Sequence, residues 1–269
     1  MKKYLFTIAI IGFFFTSNAQ EAADKKVQAG LVLGSGVNFQ KMLTKNMDAN
    51  GVGWDWTVGM NTVFNFSETI GLNTGIEFDF NSLKYAPSSS AAGNVYYYFK
   101  DMDILEFRDS DSSSSLFQLG DRVQKSVYLT IPTMLTFRTG FFGYWRYFGR
   151  FGLRNSFLLN SKVTDQGVLN GTEATNDDFT SKNDLLFFKS AVGISAGAEW
   201  NFSGSTSLIA ELGYYYGITP LHTQKSTDVG KEKNSLFIDN DGVLGSNAPV
   251  MFNNKSTQNQ IMLKVSILF

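Results

Sequence analysis

The sequence predicts an all-β chain: an eight-stranded antiparallel up-and-down barrel that crosses a membrane, with short periplasmic turns and long extracellular loops. Three observations carry this. Apolar residues recur at every second position over long runs, the period of a strand with one apolar face. The runs span roughly ten to seventeen residues, whereas ordinary strands have about five or six and a tilted membrane strand needs about nine to eleven. The connections alternate between short and long, as in outer-membrane barrels.

The chain opens with MKKYLFTIAIIGFFFTSNAQ. Lys2 and Lys3 form a positive end, Tyr4 to Phe15 an apolar run, and Ser17-Asn18-Ala19 a small-residue cleavage site. This predicts an export signal over residues 1–19, cut after Ala19. The apolar run is too short to span a bilayer, which needs about 20 residues. No cysteine is present, which excludes lipid anchoring, disulfides, thiolate metal sites and a Cys nucleophile. A formal net charge of -1 with no large basic block argues against nucleic acid.

The first strand is expected at Val27–Phe39, followed by a long connection over 40–51. The second, Val52–Phe66, shows the alternation most clearly: Trp54, Trp56, Val58, Met60, Phe64 and Phe66 share one face with Thr62. The third, Ile70–Lys84, repeats it after a short link at Ser67-Glu68-Thr69, so the two read as a hairpin. A long polar stretch, 85–124, precedes the fourth strand, Lys125–Arg138. A short link at Gly140 to Gly143 leads to the fifth, Trp145–Asn160, and a long one at 161–185 to the sixth, Leu186–Phe202. Ser203 to Ser205 turns the chain into the seventh, Thr206–Pro220, and a fourth long connection, 221–258, precedes the last, Asn259–Phe269. An even strand count puts both ends on the periplasmic side.

The apolar faces read as lipid-facing, with Trp54, Trp56, Trp200 and Phe202 near strand ends where interfacial aromatics sit. The last strand closes on Phe269, the kind of terminal aromatic that the outer-membrane assembly machinery reads. The other face then points inward and carries Asp55, Glu77, Asp79, Glu199 and Glu211 with Arg138, Arg146, Arg150, Arg154, Lys189 and Lys264. Eight strands enclose a space that side chains fill, and buried charges need partners. The expected interior is a salt-bridge network. Inward glycines (Gly30, Gly34, Gly36, Gly59, Gly71, Gly75, Gly193, Gly197) leave room for the long charged side chains.

Tyr128-Leu129-Thr130-Ile131-Pro132, RYFGRFGLRNSFLL, VGISAGAEWNF and LIAELGYYYGITPL together resemble the PorT-like outer-membrane beta-barrel family of Bacteroidetes-type bacteria. The resemblance implies an eight-stranded barrel and no single function, since some members serve type IX secretion. Thr130 stands where the family motif has an acid, so one inward carboxylate is replaced.

Other motifs point to chemistry only weakly. His222, with Ser226 nearby, opens a polar stretch and lacks an acid at a telling spacing. Asp239-Asn240-Asp241-Gly242 resembles a fragment of a calcium loop, but Val250 stands where the twelfth-position Glu is required. Asp109 to Ser115 (DSDSSSS) is a polar tip, and Val95 to Phe99 (VYYYF) an aromatic cluster within a long loop. No catalytic, cofactor or metal residue is therefore assigned. The expected function is that of a non-enzymatic outer-membrane barrel whose partners are the lipid bilayer, the assembly machinery through Phe269, and a protein or glycan at the long loops. Part in a type IX or envelope assembly, a small pore and a lipid-modifying enzyme are the alternatives.

Overall fold

A computed structural model describes residues 26–42, 47–87, 96–99, 116–180, 185–203, 206–222, 238–239, 250–251 and 256–269. The export signal at 1–19, the 109–115 tip, Ser226 and Asn240 to Gly242 lie outside the described residues. Eight strands form the barrel: β1 (Val27–Met42), β2 (Gly53–Asn65), β3 (Ile70–Pro87), β4 (Leu116–Arg138), β5 (Trp145–Leu169), β6 (Phe188–Ser203), β7 (Thr206–Gly217) and β8 (Ser256–Leu268). Each pairs antiparallel with its sequence neighbours, and β8 pairs with β1 from Gly30↔Leu268 to Met42↔Ser256, which closes the ring. Closure leaves no unpaired sheet edge in contact with lipid.

The wall alternates as the sequence predicts. On β8, Ile261, Leu263, Val265, Ile267 and Phe269 are 39–56 % exposed, while Met262, Lys264, Ser266 and Leu268 are buried. On β3 the exposed apolar residues run from Ile70 to Phe80. Ten residues rise about 33 Å, which at a tilt near 40° is a band of about 25 Å, the height of a bilayer-facing belt. Lys84 and Lys125 are exposed just above it. Aromatics mark both borders: Trp54 at the loop end, and Trp145 stacked on Trp200 (centroids 5.6 Å apart) at the turn end.

The turns follow local chemistry. Between β2 and β3 the Ser67 hydroxyl accepts from the amides of Thr69 and Ile70 at 3.3 and 3.0 Å. Between β4 and β5, Phe142 and Trp145 exchange backbone hydrogen bonds around Gly143, whose φ of 65° fits the first central position of a tight primed turn. The β3–β4 register is kept at Thr74↔Thr133 and resumes at Glu77↔Thr130. Pro132 lies in that interval, and proline has no N–H to give the ladder.

Two predicted loops are partly strand. β4 begins at Leu116 rather than Lys125, and β5 runs to Leu169 rather than Asn160. Asn170 and Gly171 both have positive φ, 51° and 80°, and turn β5 into a further strand, Thr172–Thr180, paired along it. Tyr96–Phe99 pairs with the first residues of β4. The wall here carries Lys, Asp, Gln and Ser, which masks the alternation, but Phe117, Leu119 and Val163 are buried behind it. At the other end of the chain order, β7 stops at Gly217 and not at Pro220. The amides of Ile218 and Thr219 both reach the carbonyl of Ser190, which ends the regular ladder.

Glycine at the β1–β8 seam is a steric requirement. A Cβ at Gly30 meets the backbone carbonyl oxygen of Ile267 and lies 2.9 Å from the Leu268 Cα. Gly30→Ala is expected to destabilise the barrel by about 1–3 kcal/mol, read as lower folding yield in lipid vesicles. Equal yields for Gly30→Ala and the wild type count against a tight seam.

Candidate functional site

The interior is built in layers. Val63, Phe148, Ile209 and Leu268 close the short-turn end. Leu83, Tyr85, Phe117, Leu119, Tyr128, Leu158, Leu185 and Leu221 form a larger apolar cluster towards the long loops. Between them lies the charged layer, interleaved with Met134, Tyr215 and Met262.

Arg146, Arg150 and Arg154 are four residues apart on β5, and the strand period turns all three inward. Arg146 donates Nε and Nη2 to Glu199 on β6, each at 2.7 Å. Arg150 pairs with Glu211 on β7 and lies over the Phe148 ring. Arg154 crosses the barrel: its Nη2 donates to Glu77 Oε2 at 2.7 Å and to Asp79 Oδ1 and Oδ2 at 2.8 and 2.9 Å. Lys264 on β8 donates to both Glu77 oxygens at 2.8 Å. Thr130 donates its hydroxyl to Asp79 Oδ2 at 2.5 Å. The residue that replaces the motif's acid thus supplies a donor to an acid on the next strand. Asp55 is held by Asn38 Nδ2 and Gln260 Nε2, each at 2.6 Å.

These are the carboxylates and cations that the alternation predicts inside, and the structure brings nearly all of them together. Sequence reasoning missed one pair. Arg122 and Asp165, above the lipid band, form a two-point salt bridge at 2.6 and 2.5 Å. Both sit in stretches read as loop. The Asn170-Gly171 dipeptide was the signal for a hairpin there.

Glu77 and Asp79 are close together, as acid–base catalysis would need, but both are saturated by Arg154, Lys264 and Thr130. Both carboxylates of this pair are thus matched by cations and a hydroxyl. Among the described residues, no group of acidic or His side chains has the placement to hold a metal.

His222, which opens a polar stretch in the sequence, is buried, 1 % exposed. Tyr85 packs edge-on against it at 5.8 Å. Its Nδ1 lies 2.5 Å from the hydroxyl of Ser256, and its Nε2 3.4 Å from Gln124 Oε1, which also accepts from the Tyr85 hydroxyl at 2.8 Å. Among the described residues, the serine at hydrogen-bond distance is Ser256. Ser256 is itself fully buried. The cluster sits above Lys84 and Lys125, outside the lipid-facing band, and knits the ends of β3, β4, β5 and β8.

Burial, and then the Arg122 guanidinium, push the His222 pKa down to about 3 from 6.5. The folded form holds it neutral. This stability is complete above pH 6.5 and is lost as pH falls from 6.5 through 3, on the order of 5 kcal/mol in full. A wild-type barrel is expected to lose stability over that window more steeply than His222→Gln. Parallel pH profiles for the two proteins would sink the assignment.

An antiparallel eight-stranded ring, apolar outside and filled with paired charges inside, is an integral membrane β-barrel. Residues 18–223 match the outer membrane protein beta-barrel domain family. The chain belongs to that family, and its place is the outer membrane. No curated protein matches it. Among solved structures it is similar to OprG from Pseudomonas aeruginosa, with 8% identity, a TM-score of 0.42, and coverage of 90% of this chain and 92% of that one. It is also similar to Neisserial surface protein A, with 7% identity, a TM-score of 0.35, and 91% and 98% coverage. A third is Ail of Yersinia pestis, with 11% identity, a TM-score of 0.31, and 91% and 100% coverage.

Proposed function

We propose that the protein is a non-enzymatic outer-membrane barrel that acts through its extracellular end, by contact with a protein or a surface glycan. The observation that carries this is the sheet that rises beyond the lipid band. β4 and β5 stay paired from Val127↔Asn160 up to Phe117↔Leu169, flanked by Tyr96–Phe99 and Thr172–Thr180. The Arg122–Asp165 bridge and the buried Phe117 and Leu119 stiffen it. A lipid-facing barrel needs none of this length, and a stiff platform lowers the ordering cost of binding. Tyr96–Phe99, from the aromatic stretch, belongs to the same end.

A small pore is disfavoured by the interior: Arg154 ties β5 to β3 across the lumen, and apolar clusters cap both ends. A lipid-modifying enzyme built on His222 is disfavoured by its burial with Ser256. A role in type IX secretion, as the PorT-like resemblance implies, is one form of the docking reading. In this proposal the chain is exported by a cleaved signal at 1–19 and inserted through its C-terminal strand.

The test is a tag near Ser113, purification from native outer membranes in mild detergent, and a second protein in which 118–124 and 161–167 are deleted together. We expect a stoichiometric partner or glycan ligand on the first and none on the second, with both migrating as heat-modifiable barrels. Steady single-channel conductance by the intact protein in planar bilayers would instead establish a pore.

A further inference from the structure

The seam between β6 and β7 is irregular at the upper edge of the lipid band. Regular pairing stops at Gly217↔Ala191. Above it, the amides of Ile218 and Thr219 share the Ser190 carbonyl, and the next backbone bond runs from Leu186 to Leu221. Over Phe187 to Lys189 no backbone hydrogen bond ties β6 to β7, and Pro220 opposite has no N–H to give. Phe187, Phe188 and Ile218 are exposed on the outer surface beside this break, at 64 %, 40 % and 53 %.

Directly behind the break is a cavity of about 20 Å³, lined among others by Arg154, Lys189, Ser190, Thr219, Gln258 and Gln260. That is room for one or two water-sized bodies. Lys189 Nζ donates to Asn81 Oδ1 at 2.6 Å and Gln258 Oε1 at 3.0 Å and sits 3.9 Å from the Tyr128 ring centroid. No carboxylate lies within ion-pair distance of it among the described residues. Arg154 Nε and Gln258 Nε2 are buried without an acceptor. The nearby acids are committed: Asp79 to Arg154 and Thr130, Asp55 to Asn38 and Gln260. A half-buried cation without a carboxylate and buried, orphaned N–H groups are unfavourable unless something neutralises them.

We propose that this cavity binds a single carboxylate group, entering between β6 and β7 and held by Lys189, Arg154 Nε and Gln258 Nε2. Two sources share that chemistry: the head of an amphiphile whose tail lies along Phe187, Phe188 and Ile218, and a free small carboxylate.

The test is titration of the purified, refolded full chain in maltoside micelles with dodecanoate and, separately, with acetate. We expect one carboxylate per barrel, with affinity at least tenfold weaker in Lys189→Gln and unchanged in Lys125→Gln, an exposed lysine. Dodecanoate binding without acetate binding identifies an amphiphile site; binding of both at similar affinity identifies a free-anion site. Gln258→Glu is the second variant, and it keeps the test open should Lys189→Gln not fold. It places a carboxylate beside Lys189, so it should raise the thermal midpoint and abolish dodecanoate binding. Absence of binding by the wild type, or undiminished binding by either Lys189→Gln or Gln258→Glu, overturns the proposal.

Discussion

Arg154→Met is expected to destabilise the folded barrel by about 3–5 kcal/mol, the range for removing one member of a buried ion pair. Arg154 serves two carboxylates, and the loss falls on them unequally. Glu77 keeps both hydrogen bonds from Lys264. Asp79 keeps the Thr130 hydroxyl and loses its cation. The uncompensated charge left inside is thus that of Asp79. The expected rescue follows: Arg154→Met combined with Asp79→Asn recovers most of the loss, whereas Arg154→Met combined with Glu77→Gln does not. The readout is the temperature at which the folded, fast-migrating band disappears on heating in detergent. If Asp79→Asn makes Arg154→Met worse, the single mutant's loss comes from packing against Tyr215, whose ring lies 4.7 Å from the guanidinium, and not from the stranded charge.

Val265→Arg is expected to cost about 2–4 kcal/mol, the penalty for a cation on the lipid face near mid-bilayer. Val265 lies at the centre of the outward run from Ile261 to Phe269 and is 42 % exposed to the surroundings of the barrel. Its neighbour Lys264 carries the same sign of charge one residue away. It is tolerated because it points inward and meets Glu77. The comparison isolates environment from charge. Equilibrium unfolding in urea from vesicles should show Val265→Arg well below wild type and Thr257→Arg, beyond the apolar run, near it. Equal stabilities for the two would mean that the outer face of β8 is not in lipid.

The eight strands were legible because a membrane barrel writes its two environments into alternate residues. Gly53 to Phe66 and Ile70 to Leu83 show this without any partner strand. The same rule told which charges turn inward. It failed where the wall leaves the bilayer, at 116–124 and 161–169. There the outer face meets water and no longer has to be apolar, while the inner face mixes Phe117 and Leu119 with Arg122 and Gln124. The burial of His222 was not legible for a related reason. It follows a strand that ends in an irregular seam, and its burial depends on Tyr85 and Gln124, far away in the chain.

What the sequence determined by itself is local: strand positions, the direction of each side chain, the outward aromatic borders and the need to neutralise the interior. Each follows from a two-residue period and the free energy of placing a group in lipid or away from it. Which charges meet was decided by the tertiary structure alone. Arg154 reaches Glu77 and Asp79 across the lumen, and Lys264 reaches Glu77 from the other end of the chain. Those meetings depend on the stagger of every strand against the next. A one-residue change in register exchanges the inner and outer faces of a strand. The broken seam between β6 and β7, with Lys189 behind it, has the same origin: it exists only where two strand ends fail to pair while the rest of the ring closes.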